Sequence, residues 1–286
     1  MSRSGQFSLA GAQAKTALHF DERTGGWGDP WGVVPTTHIL KPAISGFDEH
    51  DLNEHLCLET ARDLGIAAAR SRVAAFGAER VIVVERYDRR RSAMDVWLRV
   101  HQEDVCQALG YPPTTKYQSE GGPGPADVAR LLRSAVLVPL KAAEDVQRFV
   151  DALIFNWLIG GTDAHAKNYS VLLGRAGARL APLYDVASAL PYDDMYMPRL
   201  RMAMRIGGDY RLDGITGTRW RRLADEVGLD PEECVQRARA YAQRLPGAIQ
   251  RIAKADEISA LASRLPARLA ERMTTRAALC EQLLDR

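Results

Sequence analysis

The segment between residues 146 and 186 constrains the fold more than any other part of the chain. A buried amphipathic helix is predicted there, because apolar residues recur at three- and four-residue steps and stop at Gly160 and Gly161. Two short strands are then predicted on either side of a glycine-containing turn. This hairpin would return Asp185 towards Asp163 and Asn168, which lie in the loop after the helix. We therefore expect two carboxylates and an amide to share one small space.

These three side chains suit phosphoryl transfer, in which a protein positions a hydroxyl, holds magnesium against phosphates and spreads negative charge. Asp163 and Asn168 reproduce the D-x-x-x-x-N spacing of a kinase catalytic loop, and Asp185 stands where a metal-binding Asp would follow. Asp163 would accept the proton of the attacking hydroxyl, while Asn168 and Asp185 would bind Mg²⁺. The alternative is that both Asp residues are ordinary loop and turn residues. His165 has no second His or Cys nearby, so a hydrogen bond or phosphate contact is predicted rather than metal binding.

The N-terminal residues 6–20 predict a strand, a loop of small residues and a second strand. The loop is Ala10-Gly11-Ala12-Gln13, whose small side chains would let backbone N–H groups approach an anion. An ordinary hairpin loop remains the alternative. Ser8 lies beside this loop, where its hydroxyl would be open to phosphorylation.

The next elements supply a candidate lysine and its acidic partner. Lys41 ends a strand predicted over 36–42, and Glu54 lies on a helix predicted over 48–65. A kinase needs a carboxylate to orient the lysine that grips the ATP phosphates; Glu54 is the candidate, and Glu59 competes for that role. A solvated charge is the alternative for each. The apolar run 81–84 predicts a buried strand, after which the backbone of Glu85 and Tyr87 would bind an adenine edge.

The remaining segments carry fewer signals. Residues 21–35 predict a connecting loop, 89–91 a solvated loop, and the chain from about Asp95 onward is predicted to be mainly helical. A strand is predicted over 200–206, and helices are predicted over 220–227, 231–245 and 266–284.

Composition excludes several classes of protein. The formal charge of the 286 residues is +2, which gives no support to a dedicated nucleic-acid binder. The four cysteines are widely separated without a C-x-x-C pair, so free thiols in a reducing compartment are predicted. No apolar run approaches the ~18 residues of a membrane span, and a signal peptide is not recognisable. We expect a cytoplasmic protein without a membrane partner.

Taken together, these segments resemble the HipA-type serine/threonine kinases of bacterial toxin–antitoxin modules. The matching segments stand in order along most of the chain: Ser8–Lys15, Pro35–Pro42, Val84–Arg89, Gln102–Asp104, Lys116–Tyr117, Gly121–Gly124, Trp157–Asn168 and Tyr184–Asp185. The resemblance implies an α+β, two-lobed, protein-kinase-like fold with ATP between the lobes. We expect a small mixed N-lobe over residues 1–90 and a mainly helical C-lobe over 91–286.

The resemblance also implies roles for single residues. Ser8 matches a regulatory autophosphorylated serine, residues 10–13 the phosphate loop, and Lys41 the ATP-phosphate lysine. Glu85 and Tyr87 match the adenine hinge, Asp163 the catalytic base, and Asn168 and Asp185 the magnesium ligands. His165 and Lys167 are further candidates for ATP contact.

The partners implied are an aminoacyl-tRNA synthetase as substrate, notably the glutamate enzyme, and a helix-turn-helix antitoxin through which DNA is contacted indirectly. The chain departs from the long form of the family because it begins almost at the phosphate loop. We expect either a truncated gene product or a short toxin whose N-terminal subdomain is a separate small protein.

Two other functions stay open on the sequence. A small-molecule kinase of the aminoglycoside or choline type shares the Asp-x4-Asn loop. A weakly active partner that represses transcription together with a DNA-binding antitoxin is the alternative from a different class.

Overall fold

A computed structural model describes residues 15–30, 34–43, 47–175, 177–193 and 199–286. Ser8, the loop Ala10-Gly11-Ala12-Gln13 and the strand predicted before them lie outside the described residues. The strands in the described ranges are β1 Thr16–Asp21, β2 Gly26–Gly28, β3 His38–Pro42, β4 Ser71–Phe76, β5 Glu79–Glu85, β6 Arg89–Arg91, β7 Trp97–Arg99, β8 His101–Asp104, β9 Ser170–Gly174, β10 Gly177–Leu180, β11 Arg201–Ile206 and β12 Asp209–Arg211. The α-helices are α1 His50–Asp63, α2 Val105–Ala108, α3 Pro125–Ala135, α4 Pro139–Ile159, α5 Gly217–Val227, α6 Pro231–Ala253, α7 Asp256–Ser259 and α8 Leu265–Leu284.

An antiparallel five-stranded sheet in the order β2-β1-β3-β5-β4 forms the N-terminal lobe with α1. The strand β5 is buried on both faces, as its apolar run predicts. Leu40, Val81 and Val83 face a small apolar cluster on one side of the sheet. Ile82 and Val84 on the other side join the main core, which continues through α1 into the helical lobe. The sheet therefore has one face packed against the rest of the molecule.

The long helix α4 lies at the centre of the helical lobe and is buried along most of its length. It ends, as predicted, at Gly160, whose φ of 64° lies in the left-handed region that favours glycine. A Cβ atom at Gly161 would lie 2.4 Å from Oδ1 of Asn156, so a larger residue there would have to displace this buried amide. The hairpin β9–β10 follows, and β8 pairs with β9 to complete a three-stranded sheet.

Three predictions about local structure are wrong. The loop predicted over 21–35 contains β2, which pairs with β1. The predicted solvated loop at 89–91 is the strand β6, and the guanidinium of Arg89 donates to Asp88 and to the carbonyl of Thr36. The chain after about Asp95 is mainly helical as predicted, and it also contains the short strands β7 and β8, which were not predicted. α6 continues to Ala253, beyond the predicted end at residue 245.

Candidate active site

A buried lysine joins the two lobes through two carboxylates. Nζ of Lys41 donates to Oε1 of Glu54 at 2.7 Å and to Oδ1 of Asp185 at 2.8 Å. β3 carries the lysine, α1 carries Glu54, and the segment after β10 carries Asp185. Glu59 instead forms an ion pair with Arg62 at 3.3 Å, so the geometry selects Glu54 over Glu59 as the partner of Lys41.

The ion pairs at Lys41 shift the pKa values of all three groups. Burial by itself would lower the pKa of Lys41, but the charges of Glu54 and Asp185 outweigh burial and raise it. Burial raises the pKa of Glu54, and the ammonium of Lys41 opposes that rise. Burial also acts to raise the pKa of Asp185, but Lys41 overcomes it and lowers the value. Lys41 therefore stays charged at neutral pH.

Asp185 is held by its backbone as well as by Lys41. Its φ of 57° is in the left-handed region, which few non-glycine residues adopt. Nδ2 of Asn168 donates to the backbone carbonyl of Asp185 at 3.1 Å. The amide oxygen of Asn168 accepts no hydrogen bond from the part of the chain that the structure describes. Asn168 and Asp185 thus meet as predicted, and both line the same cleft.

Asp163 lies in the turn after α4 and is exposed. Its Oδ1 accepts a hydrogen bond of 2.5 Å from the hydroxyl of Tyr117. His165 is buried beside it, and its ring packs edge-on against that of Tyr117 with 5.0 Å between centroids. Burial lowers the pKa of His165. Nδ1 of His165 has no hydrogen-bond partner among the described residues, so this buried polar atom is open to a ligand.

Lys167 is tied down by a carboxylate that the sequence did not single out. Its Nζ donates to Oδ2 of Asp104 at 3.0 Å, and Asp104 also caps the N-terminus of α2. Tyr184 lies behind the same loop, where its hydroxyl donates to the carbonyl of Lys167 at 2.7 Å. These bonds fix the backbone between Asp163 and Asn168.

Glu85 and Tyr87 lie where the chain passes from the sheet to the helical lobe. The N–H group of Glu85 donates to the carbonyl of Arg70 at 2.9 Å, so its donor is already used. The N–H group of Tyr87 has no backbone partner in the described part of the chain. The backbone N–H group of Tyr87 could therefore donate a hydrogen bond to an acceptor atom on the edge of a planar heterocycle.

These groups line one cleft of about 480 Å³ between the lobes. The cleft wall contains every described residue that the sequence predicts for the site: Lys41, Glu54, Glu85, Tyr87, Asp163, His165, Lys167, Asn168 and Asp185. It also contains Lys15, His50, Gln102, Asp104 and Lys116, which the sequence did not assign to the site. Lys15, Gln102, Asp104 and Lys116 fall in segments that carry the family resemblance, whereas His50 had no signal in the sequence.

Helix α1 is attached directly to the helical lobe. Nδ2 of Asn53 donates to the carbonyl of Ser188 at 2.8 Å, and the N–H group of Ser188 donates back to Oδ1 of Asn53 at 3.1 Å. Arg244 donates to the carbonyl of Leu64, and Arg251 pairs with Asp63 at 2.6 Å. These bonds fix the helix that carries Glu54 relative to the segment that carries Asp185.

No group of three or more His, Cys, Asp or Glu side chains suited to a metal ion occurs in the described ranges. None of the helices described there has both the length and the apolar character needed to cross a bilayer. Cys57, Cys106, Cys234 and Cys280 are buried free thiols, as predicted.

Residues 7–249 match the family model of the HipA-like C-terminal domain. The chain belongs to this family. Protein Y4mE of Sinorhizobium fredii is 42% identical over 224 residues, which is 78% of this chain and 51% of that protein. The serine/threonine-protein kinase toxin HipA of Shewanella oneidensis is 29% identical over 259 residues, which is 86% of this chain and 57% of that protein. The chain thus spans about half the length of the curated relatives that it matches.

Solved structures show the kinase-like fold. HipA in a complex of Shewanella oneidensis HipA, HipB and operator DNA superposes with a TM-score of 0.82 at 24% identity, covering 100% of this chain and 67% of that one. The Helicobacter pylori proinflammatory kinase CtkA gives a TM-score of 0.56 at 13% identity, covering 96% of this chain and 95% of that one. The predicted two-lobed α+β class is confirmed, whereas the boundary at residue 90 stays a prediction.

Proposed function

We propose that this chain is an ATP- and Mg²⁺-dependent serine/threonine protein kinase. The observation that carries the proposal is the placement of Lys41 between Glu54 and Asp185, in a cleft that Asp163 and Asn168 also line. A lysine held by a helix carboxylate, together with a metal-binding Asp, is the arrangement that protein kinases require for catalysis. Membership of the HipA-like family supports the same activity.

The cleft suits a nucleoside triphosphate in size and in charge. Its volume of about 480 Å³ lies within the range of about 300–1,000 Å³ that is usual for ligand sites. Lys15, Lys41 and the unpartnered Nδ1 of His165 would contact the phosphates, and the N–H group of Tyr87 would bind adenine. Lys41 would grip the α- and β-phosphates. Lys167 would add positive charge while Asp104 keeps it in place.

Asn168 and Asp185 would hold the magnesium ion through one amide and one carboxylate oxygen. This number of protein ligands suits Mg²⁺, which keeps water and substrate phosphates as its other ligands. When bound, the ion would neutralise charge on the transferred phosphate. Asn168 is oriented for this role, because its amide nitrogen is used by the carbonyl of Asp185.

Asp163 would act as the general base. Its exposed carboxylate lines the same cleft as Lys41 and would accept the proton of a serine or threonine hydroxyl as that oxygen attacks phosphorus. A general base in this position is expected to accelerate phosphate transfer by a factor of about 10²–10⁴.

The biological setting is proposed from the relatives. One relative is named a kinase toxin, and one solved neighbour is bound to HipB and operator DNA. We infer that this chain is a cytoplasmic toxin of the same kind, bound by a helix-turn-helix antitoxin and contacting DNA only through it. An aminoacyl-tRNA synthetase is its proposed substrate, and Ser8 its proposed autophosphorylation site.

The test is phosphate transfer by the purified protein with labelled ATP and Mg²⁺. We expect label on a synthetase and on Ser8, located by mass spectrometry, and none with Asp163→Asn. Asp213→Asn is the matched control, because Asp213 is a partly exposed Asp that pairs with Arg211 in the helical lobe. Label on a small alcohol would favour the small-molecule kinase. Growth arrest by both wild type and Asp163→Asn, without transfer, would favour the co-repressor.

A further inference from the structure

The loop between Tyr111 and Gly124 has no place in the activity proposed above, yet its structure is tightly specified. The N–H group of Gly122 donates to the carbonyl of Tyr117 at 2.9 Å. A Cβ atom at Gly122 would lie 2.7 Å from the carbonyl oxygen of Thr115, so only glycine fits without a shift of the backbone. A Cβ atom at Gly124 would overlap the side chain of Gln118. The backbone at both glycines therefore packs closely against the segment around Tyr117.

The same loop is attached to the turn that carries Asp163. The N–H group of Ala166 donates to the carbonyl of Lys116 at 3.2 Å, and the ring of His165 packs on that of Tyr117. The ammonium of Lys116 lies 5.1 Å from the centroid of the Tyr117 ring. Within the described ranges, the hydroxyl of Tyr117 is the one side chain that donates to the carboxylate of Asp163. Among the described side chains, the exposed carboxylate of Asp163 is thus held by the Tyr117 hydroxyl alone.

We propose that Tyr117 is a positioning residue, which holds Oδ1 of Asp163 so that Oδ2 faces the acceptor hydroxyl. This inference rests on the proposed function, because it assigns to Tyr117 the orientation of the proposed base. Without this bond, the carboxylate would rotate freely about its terminal torsion, which is broad for Asp. A base that is correctly oriented spends more of its time in hydrogen-bond reach of the proton it accepts.

Tyr117 keeps its own proton while it does so. Burial and the hydrogen bond to Asp163 both raise the pKa of the Tyr117 hydroxyl, and Glu120 acts in the same direction. The hydroxyl therefore donates at neutral pH and does not take up the proton released by the acceptor. Asp163 remains the acceptor of that proton.

The kinetic test is Tyr117→Phe, which removes one oxygen and keeps the ring. We expect kcat to fall by about tenfold or more, the effect of losing a hydrogen bond to a charged group, while KM for ATP and the thermal midpoint stay unchanged. Tyr111→Phe is the matched control, since Tyr111 lies at the start of the same loop and its hydroxyl makes no hydrogen bond to the described residues. An unchanged kcat would refute the positioning role. A higher kcat would also refute it, because Tyr117 would then be blocking the base.

A second measurement does not depend on activity. In protein labelled with ¹³C at the tyrosine ζ carbon, the signal that Tyr117→Phe removes is assigned to Tyr117 and followed against pH. Asp163→Asn is expected to lower the pKa of Tyr117, because the raising effect of the carboxylate is lost. No change would refute the hydrogen bond itself. If the pKa changes but the wild-type protein transfers no phosphate, the hydrogen bond exists and the proposed kinase function is wrong. Tyr117 would then have no catalytic role.

Discussion

Replacing Glu54 with Gln is expected to lower the free energy of unfolding by about 3 kcal/mol, the lower end of the range for breaking a buried ion pair. The side chain of Glu54 is 1% exposed and that of Lys41 is 8% exposed, so water cannot solvate the Lys41 ammonium once the carboxylate is lost. Asp185 remains 2.8 Å from Lys41 and keeps the loss at that lower end. Its side chain is 45% exposed, so it offsets the burial of the ammonium only in part.

The assay is unfolding in urea at neutral pH, with Glu59→Gln as the matched control. Glu59 lies on the same helix and pairs with Arg62 while both side chains remain partly exposed. Its replacement is expected to cost less than about 1 kcal/mol, as is usual for surface pairs. Phosphate transfer is expected to fall with Glu54→Gln and to be unchanged with Glu59→Gln.

A double-mutant cycle gives the result that would refute this reasoning. Lys41→Met combined with Glu54→Gln is expected to cost at least about 1 kcal/mol less than the two single losses together, because residues in direct contact are not additive. Additive losses, or equal losses for Glu54→Gln and Glu59→Gln, would show that Glu54 is not the residue that compensates Lys41.

Three further outcomes are expected. Burial lowers the pKa of His55 from 6.5 to about 4, so the unfolded chain binds a proton that the folded chain does not, and stability falls as pH drops from 6.5 towards 4. Urea unfolding of His55→Gln over that range is expected to show a flatter slope. Asn53→Ala is expected to cost about 2 kcal/mol, because it leaves the buried polar groups of Ser188 unpaired; faster hydrogen exchange of the Ser188 amide measures the local loss. Gly122→Ala is expected to lower kcat and to leave the thermal midpoint nearly unchanged, since the added carbon displaces the loop rather than the core. A lower thermal midpoint with an unchanged kcat would contradict this.

The sequence predicted the elements whose signals are local. Helix α4 and its stop at Gly160 follow from a regular apolar spacing, and the hairpin after it follows from glycine at the turn. The meeting of Asn168 and Asp185 then follows from chain geometry alone. Lys41 was placed on its strand correctly, although Glu54 and Glu59 could not be separated until the helix was oriented against the sheet.

The missed elements depend on partners that are distant in sequence. β8 is a strand because it pairs with β9, and three or four residues carry too little pattern to indicate this. β6 and β2 were missed for the same reason, and the charged side chains of β6 made it look like a solvated loop. The contact of Tyr117 with Asp163 joins two loops, whose relative position is set by backbone hydrogen bonds that side chains do not encode.

The attachment of α1 to the helical lobe bears on how such a protein would be silenced. Because Asn53 is bonded to Ser188, the helix that carries Glu54 is held against the helical lobe while Glu54 contacts Lys41. Moving this helix would break both bonds between Asn53 and Ser188 as well as the contact of Glu54 with Lys41. We expect an inhibitory partner to act by covering the mouth of the cleft or excluding the substrate, leaving the separation of Lys41 and Glu54 the same in the free and the inhibited protein.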